Sequence, residues 1–344
     1  MAWTFSGVFL DGAENERVTA GTGEPEELPG RYAVAGLVDA HAHPTVARDA
    51  DGPYLADGGY GAARLDEYAA SGVTVIRDAG GRSEVTLGFA RARADGRPAV
   101  TAAGRFLAPA NRYFPRMYSP VAPDELAAAV GAEVAAGAAW VKIIGDFPEW
   151  GDDGPVPEST AATYDLATLR QAVEAAHAAG ARVAVHNNLP DSGLAGIGAD
   201  SIEHGRALGH ADLDALAARG GAWTPTLCAA LGQRDPADPA VRARIGDLRD
   251  RLREFLPYAV GRGVRVLAGT DVVGTIAQEI ALLAGHGLTP EQAIAAAGSA
   301  ARGFLGIHPD GDIVTYDADP REDPGALARP AAVVIRGVRV RLPG

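Results

Sequence analysis

Short apolar segments alternate with amphipathic, helix-like segments along most of the chain. The apolar segments have the length of β-strands, and most of them end abruptly at a polar residue. Eight such segments lie at residues 36–43, 73–78, 99–103, 140–144, 182–186, 201–204, 222–226 and 264–270. Strands that alternate with helices favour parallel pairing through right-handed crossovers. The pattern therefore predicts an α/β protein whose main part is a (β/α)8 TIM barrel.

Capping residues mark several of the predicted helix ends. Asp165 precedes a helical pattern over residues 166–179, where its carboxylate can cap free backbone N–H groups, and Gly180 follows as a left-handed stop. Thr289, Pro290 and Gln292 make a capping-box pattern that opens an extra helix after the eighth unit. These caps support the alternation of strands and helices.

Both ends of the chain have strand-like composition and lie outside the predicted barrel. The barrel is assigned to residues 35–310, and the remaining ends are residues 1–34 and 311–344. Neither end is long enough to fold alone. We therefore expect the two ends to pair into one small, discontinuous, β-sandwich-like domain beside the barrel.

Length and composition are those of an ordinary globular chain. The 344 residues are 47% hydrophobic and 22% charged. The sequence has no apolar run near the ~18 residues that a membrane span needs. The first ten residues lack a basic start and are typical of a strand rather than a signal peptide. A cytoplasmic protein without membrane association is expected.

The balance of charge and the cysteine count limit the partners and the metal ligands. The formal net charge is −13 and no basic cluster is present, which disfavours binding to nucleic acid or to anionic membranes. Cys228 is the single cysteine, so an internal disulfide and a thiolate-only metal cage are excluded. Any metal ligands must be nitrogen and oxygen atoms.

Residues with metal-binding side chains close several of the predicted strands. A metal site needs neutral imidazoles and carboxylates held in fixed directions, and strand ends supply them because alternate side chains share a face. A single histidine would more often be a hydrogen-bonded core or capping residue. Four of the eight histidines lie at strand ends, however, which favours a metal site. The candidate ligands are His41, His43, Lys142, His186, His204 and Asp271.

The motifs around these residues resemble those of the amidohydrolase superfamily, and they occur in that family's order. They are Gly36-Leu-Val-Asp-Ala-His-Ala-His43, Trp140-Val-Lys-Ile143, Val183-Ala-Val-His186, Asp200-Ser-Ile-Glu-His-Gly205 and Ala268-Gly-Thr-Asp271. The resemblance runs from about residue 33 to residue 317. It is closest to the imidazolonepropionase and Xaa-Pro dipeptidase-like branch, because Lys142 and Val75-Ile-Arg-Asp-Ala-Gly-Gly81 are similar to that group.

The resemblance implies a binuclear site of two divalent metal ions, usually Zn²⁺, with a lysine carboxylated on its amine. A carbamate would turn a costly buried ammonium into a bidentate anionic ligand. The alternative for Lys142 is a structural lysine at a strand end. The implied ligands are His41 and His43 with Asp271 for the more buried ion, His186 and His204 for the more exposed ion, and Lys142 as the bridge.

The implied activity is hydrolysis of a C–N bond in a small cyclic amide or a dipeptide-like N-acyl compound. Two ions would activate a bridging hydroxide, and Asp271 would carry its proton to the leaving amine. Lactonase, phosphotriesterase, decarboxylase or isomerase activity on the same site is an alternative. A non-catalytic metal-binding scaffold is a second one. The partner is a small molecule, and homo-oligomers occur often among relatives.

Three acidic residues lie within the eight predicted strands. Asp39 and Asp78 could each orient a ligand imidazole through its second nitrogen, and a loop or salt-bridge role is an equal alternative. Glu203 precedes His204, and strand alternation then predicts that Glu203 faces away from the site.

Substrate-binding residues are expected in the loops that follow the strands. The loop after the third strand offers guanidinium and aromatic groups in Arg105, Arg112 and Tyr113, with a solvated surface loop as the alternative. The segment 146–163 is rich in Asp, Gly and Pro, and we expect it to form a lid over the metals.

Overall fold

The structure is a computed structural model that describes residues 2–10, 17–152, 154–232, 238–308 and 311–342. It is a mixed α/β protein with parallel sheets. The strands are β1 (Ala2–Ser6), β2 (Val8–Phe9), β3 (Arg17–Gly21), β4 (Pro25–Glu27), β5 (Tyr32–Val34), β6 (Leu37–Ala42), β7 (Val46–Asp49), β8 (Gly52–Leu55), β9 (Val73–Asp78), β10 (Ala99–Ala102), β11 (Phe106–Leu107), β12 (Trp140–Ile144), β13 (Asp146–Gly151), β14 (Gly154–Ala162), β15 (Arg182–Asn187), β16 (Ser201–His204), β17 (Ala222–Thr224), β18 (Arg265–Val266), β19 (Ile313–Tyr316), β20 (Ala332–Ile335) and β21 (Val338–Arg339).

Helices connect most of the parallel strands. The α-helices are α1 (Gly58–Ala70), α2 (Ser83–Ala92), α3 (Leu126–Ala135), α4 (Leu166–Ala178), α5 (His210–Ala217), α6 (Leu227–Leu231), α7 (Pro239–Arg262), α8 (Ile276–Gly285), α9 (Pro290–Ala296) and α10 (Ser299–Leu305). Short 3₁₀ turns lie at Pro123–Glu125, Leu194–Gly196 and Pro324–Ala328. Within the described residues, the structure contains no helix with the length and apolar character needed to cross a bilayer.

Two parallel sheets form the centre of the fold, in the orders β10-β9-β6 and β11-β12-β15-β16-β17-β18. Backbone hydrogen bonds join β6 to the segment after β18. The Ala40 N–H donates to the Ala268 carbonyl at 2.9 Å, and the Asp271 N–H donates to the His41 carbonyl at 2.7 Å. The carboxyl end of β6 therefore lies beside the segment that carries Asp271.

The apolar core lies between the parallel sheets and the helices packed on them. In α4, Leu169, Val173 and Ala176 recur every three or four residues, and all three are buried. This is the spacing of one helix face. Burying a leucine or valine side chain contributes roughly 1.5–3 kcal/mol, so such a face holds its helix on the sheet.

The predicted caps of two helices are confirmed. The Asp165 carboxylate accepts a hydrogen bond from the Thr168 N–H at 2.8 Å at the start of α4, and Gly180 after its end has φ +83°. Thr289 and Gln292 form the expected capping box at the start of α9. These local signals set the helix ends correctly because they depend on nearby backbone groups alone.

The last two predicted strands are shorter in the structure than in the sequence pattern. β17 stops at Thr224 because Pro225 has no N–H to continue the ladder. β18 covers only Arg265–Val266, and the chain beyond it passes very close to β6. A Cβ at Gly269 would lie 2.5 Å from the His41 Cβ, so glycine permits this approach.

Strands from both ends of the chain share one sheet. Its order is β2-β5-β19-β20-β21, and β5 pairs antiparallel with β19. A second, three-stranded sheet has the order β3-β1-β4. Trp3, Phe5, Ile313 and Val334 belong to one buried apolar cluster beside these sheets. The boundary expected at residue 310 falls on residues 309–310, outside the described part of the chain.

Candidate metal centre

One large cavity, with a volume of about 1710 Å³, opens at the carboxyl ends of the parallel strands. All six candidate ligands line it, although they are spread over more than 200 positions of sequence. Tyr113 also lines the cavity. The ligand candidates in its wall are His41, His43, Lys142, His186, His204 and Asp271.

His41 and His43 lie two residues apart at the end of β6 and point the same way. Their Nε2 atoms are 3.2 Å apart, and Oδ1 of Asp271 lies 3.4 Å from Nε2 of His43. The ligand atoms of these three residues all lie within 4.8 Å of one another. Nitrogen and oxygen atoms held at about 2.05 Å around one tetrahedral ion would be about 3.3 Å apart. The observed distances fit one ion between the three side chains.

The second ring nitrogen of three histidines has a fixed partner. Nδ1 of His41 lies 2.5 Å from Oε2 of Glu203, Nδ1 of His43 lies 2.6 Å from the Gly80 carbonyl oxygen, and Nδ1 of His204 lies 2.7 Å from Oγ1 of Thr226. The carboxylate and the carbonyl can only accept, so His41 and His43 carry their protons on Nδ1. Their Nε2 lone pairs are therefore available to a metal ion.

His186 and His204 form the other side of the cluster. Their ring centroids are 4.4 Å apart, and the His204 ring lies 5.0 Å from the His41 ring. Nδ2 of Asn188 lies 2.9 Å from Nε2 of His186, and the Asp146 carboxylate lies 3.9 Å from the same nitrogen. The four imidazoles thus form a continuous series from His43 to His186.

Solvent exclusion keeps these imidazoles neutral. Burial, assisted by the positive charge of Lys142, lowers the pKa of His43 to about 3 and holds the pKa values of His41 and His186 well below the ordinary range. Burial and the neighbouring His186 lower the pKa of His204 in the same way. Neutral imidazole is the form that binds metal ions.

Glu203 faces into the site, which contradicts the prediction from strand alternation. Its side chain is fully buried and contacts His41, while the next residue, His204, also reaches the cavity. The cause is the backbone of His204, whose φ of +65° breaks the alternation at the end of β16. Adjacent residues can then serve the same site.

Arg77 holds Glu203 in place from inside the sheet. Nη2 of Arg77 donates to both carboxylate oxygens of Glu203, at 2.7 and 2.8 Å, and neither residue is exposed. The Arg77 guanidinium also lies 4.6 Å from the centre of the Trp140 ring. Sequence reasoning missed this pair. The available signal was an arginine within the apolar strand Val73–Asp78, since a buried guanidinium needs a buried acid.

Lys142 is buried, and its Nζ has no hydrogen-bond partner among the described residues. Burial lowers the pKa of this amine to about 8. It is also the only lysine in the sequence, because every other residue of the Lys and Arg total is arginine. An unpaired buried amine is costly for a structural lysine, whereas a carbamate on this nitrogen would gain metal partners. The donor set around Lys142 fits a bridged metal pair.

Asp271 reaches the site through an unusual backbone conformation. Its φ is +62°, and its N–H bonds to the His41 carbonyl, which fixes the carboxylate beside His43. Desolvation raises the pKa of Asp271 to about 6. The side chain is one-fifth exposed to the cavity, so it can contact both the protein ligands and a bound molecule.

Asp39 and Asp78 hold backbone groups rather than imidazole nitrogens. The Asp39 carboxylate accepts from the N–H of His41 at 3.2 Å and from the Thr270 hydroxyl at 2.6 Å. Asp78 accepts from the Gly80 N–H at 3.0 Å, and the carbonyl of Gly80 is the partner of His43. The predicted direct contact of Asp78 with a ligand ring is therefore replaced by a contact through Gly80.

Two of the three predicted substrate residues point elsewhere. Nε of Arg105 pairs with Glu133 at 2.8 Å, away from the cavity lining. Arg112 donates to the carbonyl oxygens of Phe147 and Ser159, at 3.2 and 3.0 Å. Both guanidiniums have partners in the protein, and neither residue lines the cavity.

The segment predicted as a lid forms an antiparallel hairpin. β13 pairs with β14, and Phe147, Pro148 and Thr160 from this hairpin line the cavity. Tyr113 packs on Phe147, with ring centroids 5.0 Å apart. The hairpin is thus a wall of the cavity beside the candidate ligands.

Comparisons with known proteins agree with this architecture. No protein-family model matches the chain. Uncharacterised proteins of Mycobacterium bovis and Mycobacterium tuberculosis are 32% identical to it over 342 residues, covering 90% of this chain and 85% of theirs. The fold is similar to the crystal structure of an amidohydrolase, with a TM-score of 0.78 and 19% identity over the whole of both chains.

Two further solved structures are similar at the same level. A prolidase complexed with N-methylphosphonate-L-proline has a TM-score of 0.77 and 20% identity over the whole of both chains. A Xaa-Pro dipeptidase with methionine bound in its active site has a TM-score of 0.77 and 21% identity over 98% of this chain and 99% of that one.

Proposed function

The chain belongs by its fold to the amidohydrolase superfamily, and to one family with the mycobacterial proteins, and on this premise we propose that it is a metal-dependent hydrolase of C–N bonds. The substrate is a small cyclic amide or a dipeptide-like N-acyl compound. The observation that carries the proposal is the meeting of four neutral imidazoles, an unpaired buried lysine amine and the Asp271 carboxylate in one cavity wall.

Each candidate ligand has a distinct place in the proposed site. His41, His43 and Asp271 would hold the more buried ion, since Nε2 of His43 lies 3.2 Å from Nε2 of His41 and 3.4 Å from Oδ1 of Asp271, close to the spacing within one coordination shell. His186 and His204 would hold the second ion, and carboxylated Lys142 would join the two. When bound, two zinc ions would supply a hydroxide of lowered pKa and would polarise the scissile carbonyl group.

Asp271 is the proposed proton carrier of the reaction. Its carboxylate is partly open to the cavity and its pKa is raised toward neutrality, so it can accept a proton and release it again near neutral pH. The proton would go to the leaving amine nitrogen. Glu203 and Thr226 would hold His41 and His204 in position during this exchange.

We infer that the two parallel sheets close into one (β/α)8 barrel. The hydrogen bonds between β6 and the segment after β18 support closure on one side, and the direct chain connection from β10 to β11 supports it on the other. The strands of residues 1–34 and 311–344 would then form a small discontinuous domain beside a barrel of residues 35–310.

The names of the similar structures support the amide substrate class. One is a prolidase with an L-proline derivative, and another is a Xaa-Pro dipeptidase with methionine. A cavity of about 1710 Å³ is also larger than a metal centre alone requires.

The first experiment measures metal content per chain by elemental mass spectrometry after purification with zinc and bicarbonate. About two zinc ions in the wild type and one or none in Lys142→Ala would support the proposal. Arg249→Ala, an exposed change on α7, is the matched control and should keep the wild-type content. Absence of bound metal from both the wild type and Lys142→Ala would overturn the mechanism.

A substrate panel then tests the reaction class. It contains dipeptides, N-acyl amino acids and cyclic amides, together with lactones and phosphotriesters. Zinc-dependent turnover of the first three classes supports the C–N assignment. Turnover confined to lactones or phosphotriesters would assign a different reaction to the same site.

A further inference from the structure

Arg206 is a cation in the cavity wall without a partner of its own. It lies two residues after His204, lines the cavity and is exposed to it. Across the described ranges, its guanidinium makes no hydrogen bond or ion pair with the protein. It nevertheless lies close enough to Asp271 and Asp146 for their charges to interact with it.

Both nearby carboxylates are engaged by other groups. Asp271 lies 3.4 Å from His43, and Asp146 accepts the backbone N–H groups of Asn188 and Leu189, at 2.8 and 3.2 Å. The N–H groups of the Arg206 guanidinium are therefore available to a bound molecule next to the candidate ligands. A guanidinium of this kind matches a carboxylate through two parallel hydrogen bonds.

The arginine side chains in the cavity lining also favour the binding of an anion. The protein as a whole carries −13, yet Arg48, Arg206 and Arg244 line this cavity and none of them has an ion-pair partner among the described residues. With Arg251, the lining contains four arginines against the three carboxylates of Asp146, Asp247 and Asp271. A cationic recess in an acidic protein concentrates anionic small molecules.

An apolar surface lies on another part of the same cavity. Leu231 of α6, Ile245 and Leu248 of α7, and Leu282 of α8 contribute to it, and Val272 and Val273 follow Asp271 at its edge. The two valines are 40% and 45% exposed, so they are available to a bound molecule. The cavity thus offers a cation beside the ligands and an apolar surface farther along α6, α7 and α8.

We propose that Arg206 is a specificity-determining residue, which binds the carboxylate of an N-acyl amino acid whose hydrophobic part packs on the α6–α8 surface. The assignment of the cleaved bond as a C–N bond rests on the proposed function. The recognition of the carboxylate does not, because it is assigned to a side chain that is not among the candidate metal ligands.

The test compares two probes that differ only in the group at the carboxyl end. N-Acetyl-L-phenylalanine carries a carboxylate, and N-acetyl-L-phenylalaninamide replaces it with a neutral amide. Calorimetry measures the affinity of both for the wild type, Arg206→Met, Arg206→Lys and the surface control Arg249→Met. Each protein is measured zinc-loaded and metal-free, because zinc itself can bind a carboxylate.

The wild type should bind the acid roughly 10–100-fold more tightly than the amide, the range of a charge-assisted hydrogen-bonded pair. Arg206→Met should bring this ratio close to one in the metal-free protein, Arg206→Lys should keep part of it, and Arg249→Met should keep all of it. Arg206 is exposed, so these variants should fold, and thermal unfolding verifies this. The same acid-to-amide ratio in the wild type and Arg206→Met would overturn the inference.

Hydrolysis separates this inference from the proposed function. Failure to cleave any C–N substrate, with an Arg206-dependent preference for the acid still present, would support the inference and overturn the proposed function. Cleavage of N-acyl amino acid amides as efficient as that of the acids, unchanged in Arg206→Met, would support the function and overturn the inference.

Discussion

Nδ1 of His41 donates a hydrogen bond to Oε2 of Glu203 at 2.5 Å, across 162 positions of sequence. Glu203 in turn receives two hydrogen bonds from Arg77, so a fully buried ion pair stands directly behind a candidate metal ligand. The pair fixes the orientation of the His41 ring and makes its Nε2 a stronger electron-pair donor to a metal ion. We therefore expect the metal affinity to depend on Arg77 and Glu203 as well as on the candidate ligands.

Replacing Glu203 should weaken both metal binding and the fold. Glu203→Gln leaves the buried Arg77 without its countercharge, which should lower the free energy of unfolding by about 3 kcal/mol. Zinc affinity should fall roughly 10–100-fold, because His41 loses its anionic partner. Chelator competition measures the affinity, and urea unfolding of the metal-free protein measures the stability.

The double variant Arg77→Met/Glu203→Gln separates these two effects. It removes the unpaired buried charge, so much of the lost stability should return. The zinc affinity should stay low because His41 still lacks its carboxylate. Recovery of wild-type zinc affinity in the double variant would show that Glu203 acts only through the stability of the fold.

Thr226 offers a matched pair of substitutions at the other side of the site. Thr226→Ala removes the hydroxyl that contacts Nδ1 of His204, and Thr226→Ser retains it. The alanine variant should bind the second zinc ion roughly tenfold more weakly, and the serine variant should stay near the wild type. Stepwise zinc titration with a competing chelator measures both. Equal affinities in the two variants would contradict the role of the hydroxyl.

Asp271→Asn tests the proton transfer. The amide keeps the shape of the side chain but cannot carry the proton, so kcat should fall by roughly 10²–10⁴ while KM changes less. Steady-state kinetics on a substrate found in the panel measures this, and metal analysis of the same sample shows whether the ions are retained. Wild-type kcat with full metal content would remove Asp271 from the chemistry.

Glu279 predicts a pH dependence of stability away from the metal centre. Its carboxylate caps α6 by accepting the N–H groups of Leu227 and Cys228, both at 2.7 Å. Those bonds favour the charged form, but burial outweighs them and raises the pKa of Glu279 from 4.5 to about 7. The stabilisation from the protonated form is therefore complete below pH 4.5 and is lost as the pH rises through 7.

Between pH 5.5 and 7.5 the free energy of unfolding of the metal-free wild type should fall by about 2 kcal/mol more than that of Glu279→Gln. Urea unfolding at the two pH values measures the difference. Glu254→Gln changes an exposed acid on α7 and should follow the wild type. A wild-type slope no steeper than that of Glu279→Gln would show that the buried carboxyl is charged throughout.

The positions of the ligand candidates could be predicted because they follow a local rule. Each parallel strand delivers its last polar side chains to the same edge, so His41, Lys142 and His186 meet wherever the strands pair in parallel. Helix caps such as Asp165 could be predicted for a similar reason, since their partners lie within three residues.

Glu203 and Arg206 could not be predicted by that rule. The direction of Glu203 depends on the positive φ of His204, and alternation alone gives the opposite face. Arg206 lines the cavity without a partner among the described residues, whereas Arg105 and Arg112 have partners in distant segments, at Glu133 and in the β13–β14 hairpin. Tertiary pairing thus decides which arginine remains available.

Because Lys142 is the single lysine of the sequence, isotope-labelled lysine would allow its side chain alone to be observed by NMR spectroscopy. Growth with lysine labelled with ¹⁵N at its side-chain nitrogen places this isotope on one side chain. [¹³C]Bicarbonate would then supply the ¹³C atom of a carbamate bonded to that nitrogen. Coupling between the two nuclei would arise only from a carbamate on Lys142. The degree of carboxylation could therefore be followed during metal loading in the unmutated protein, without resolving it from a background of other lysines.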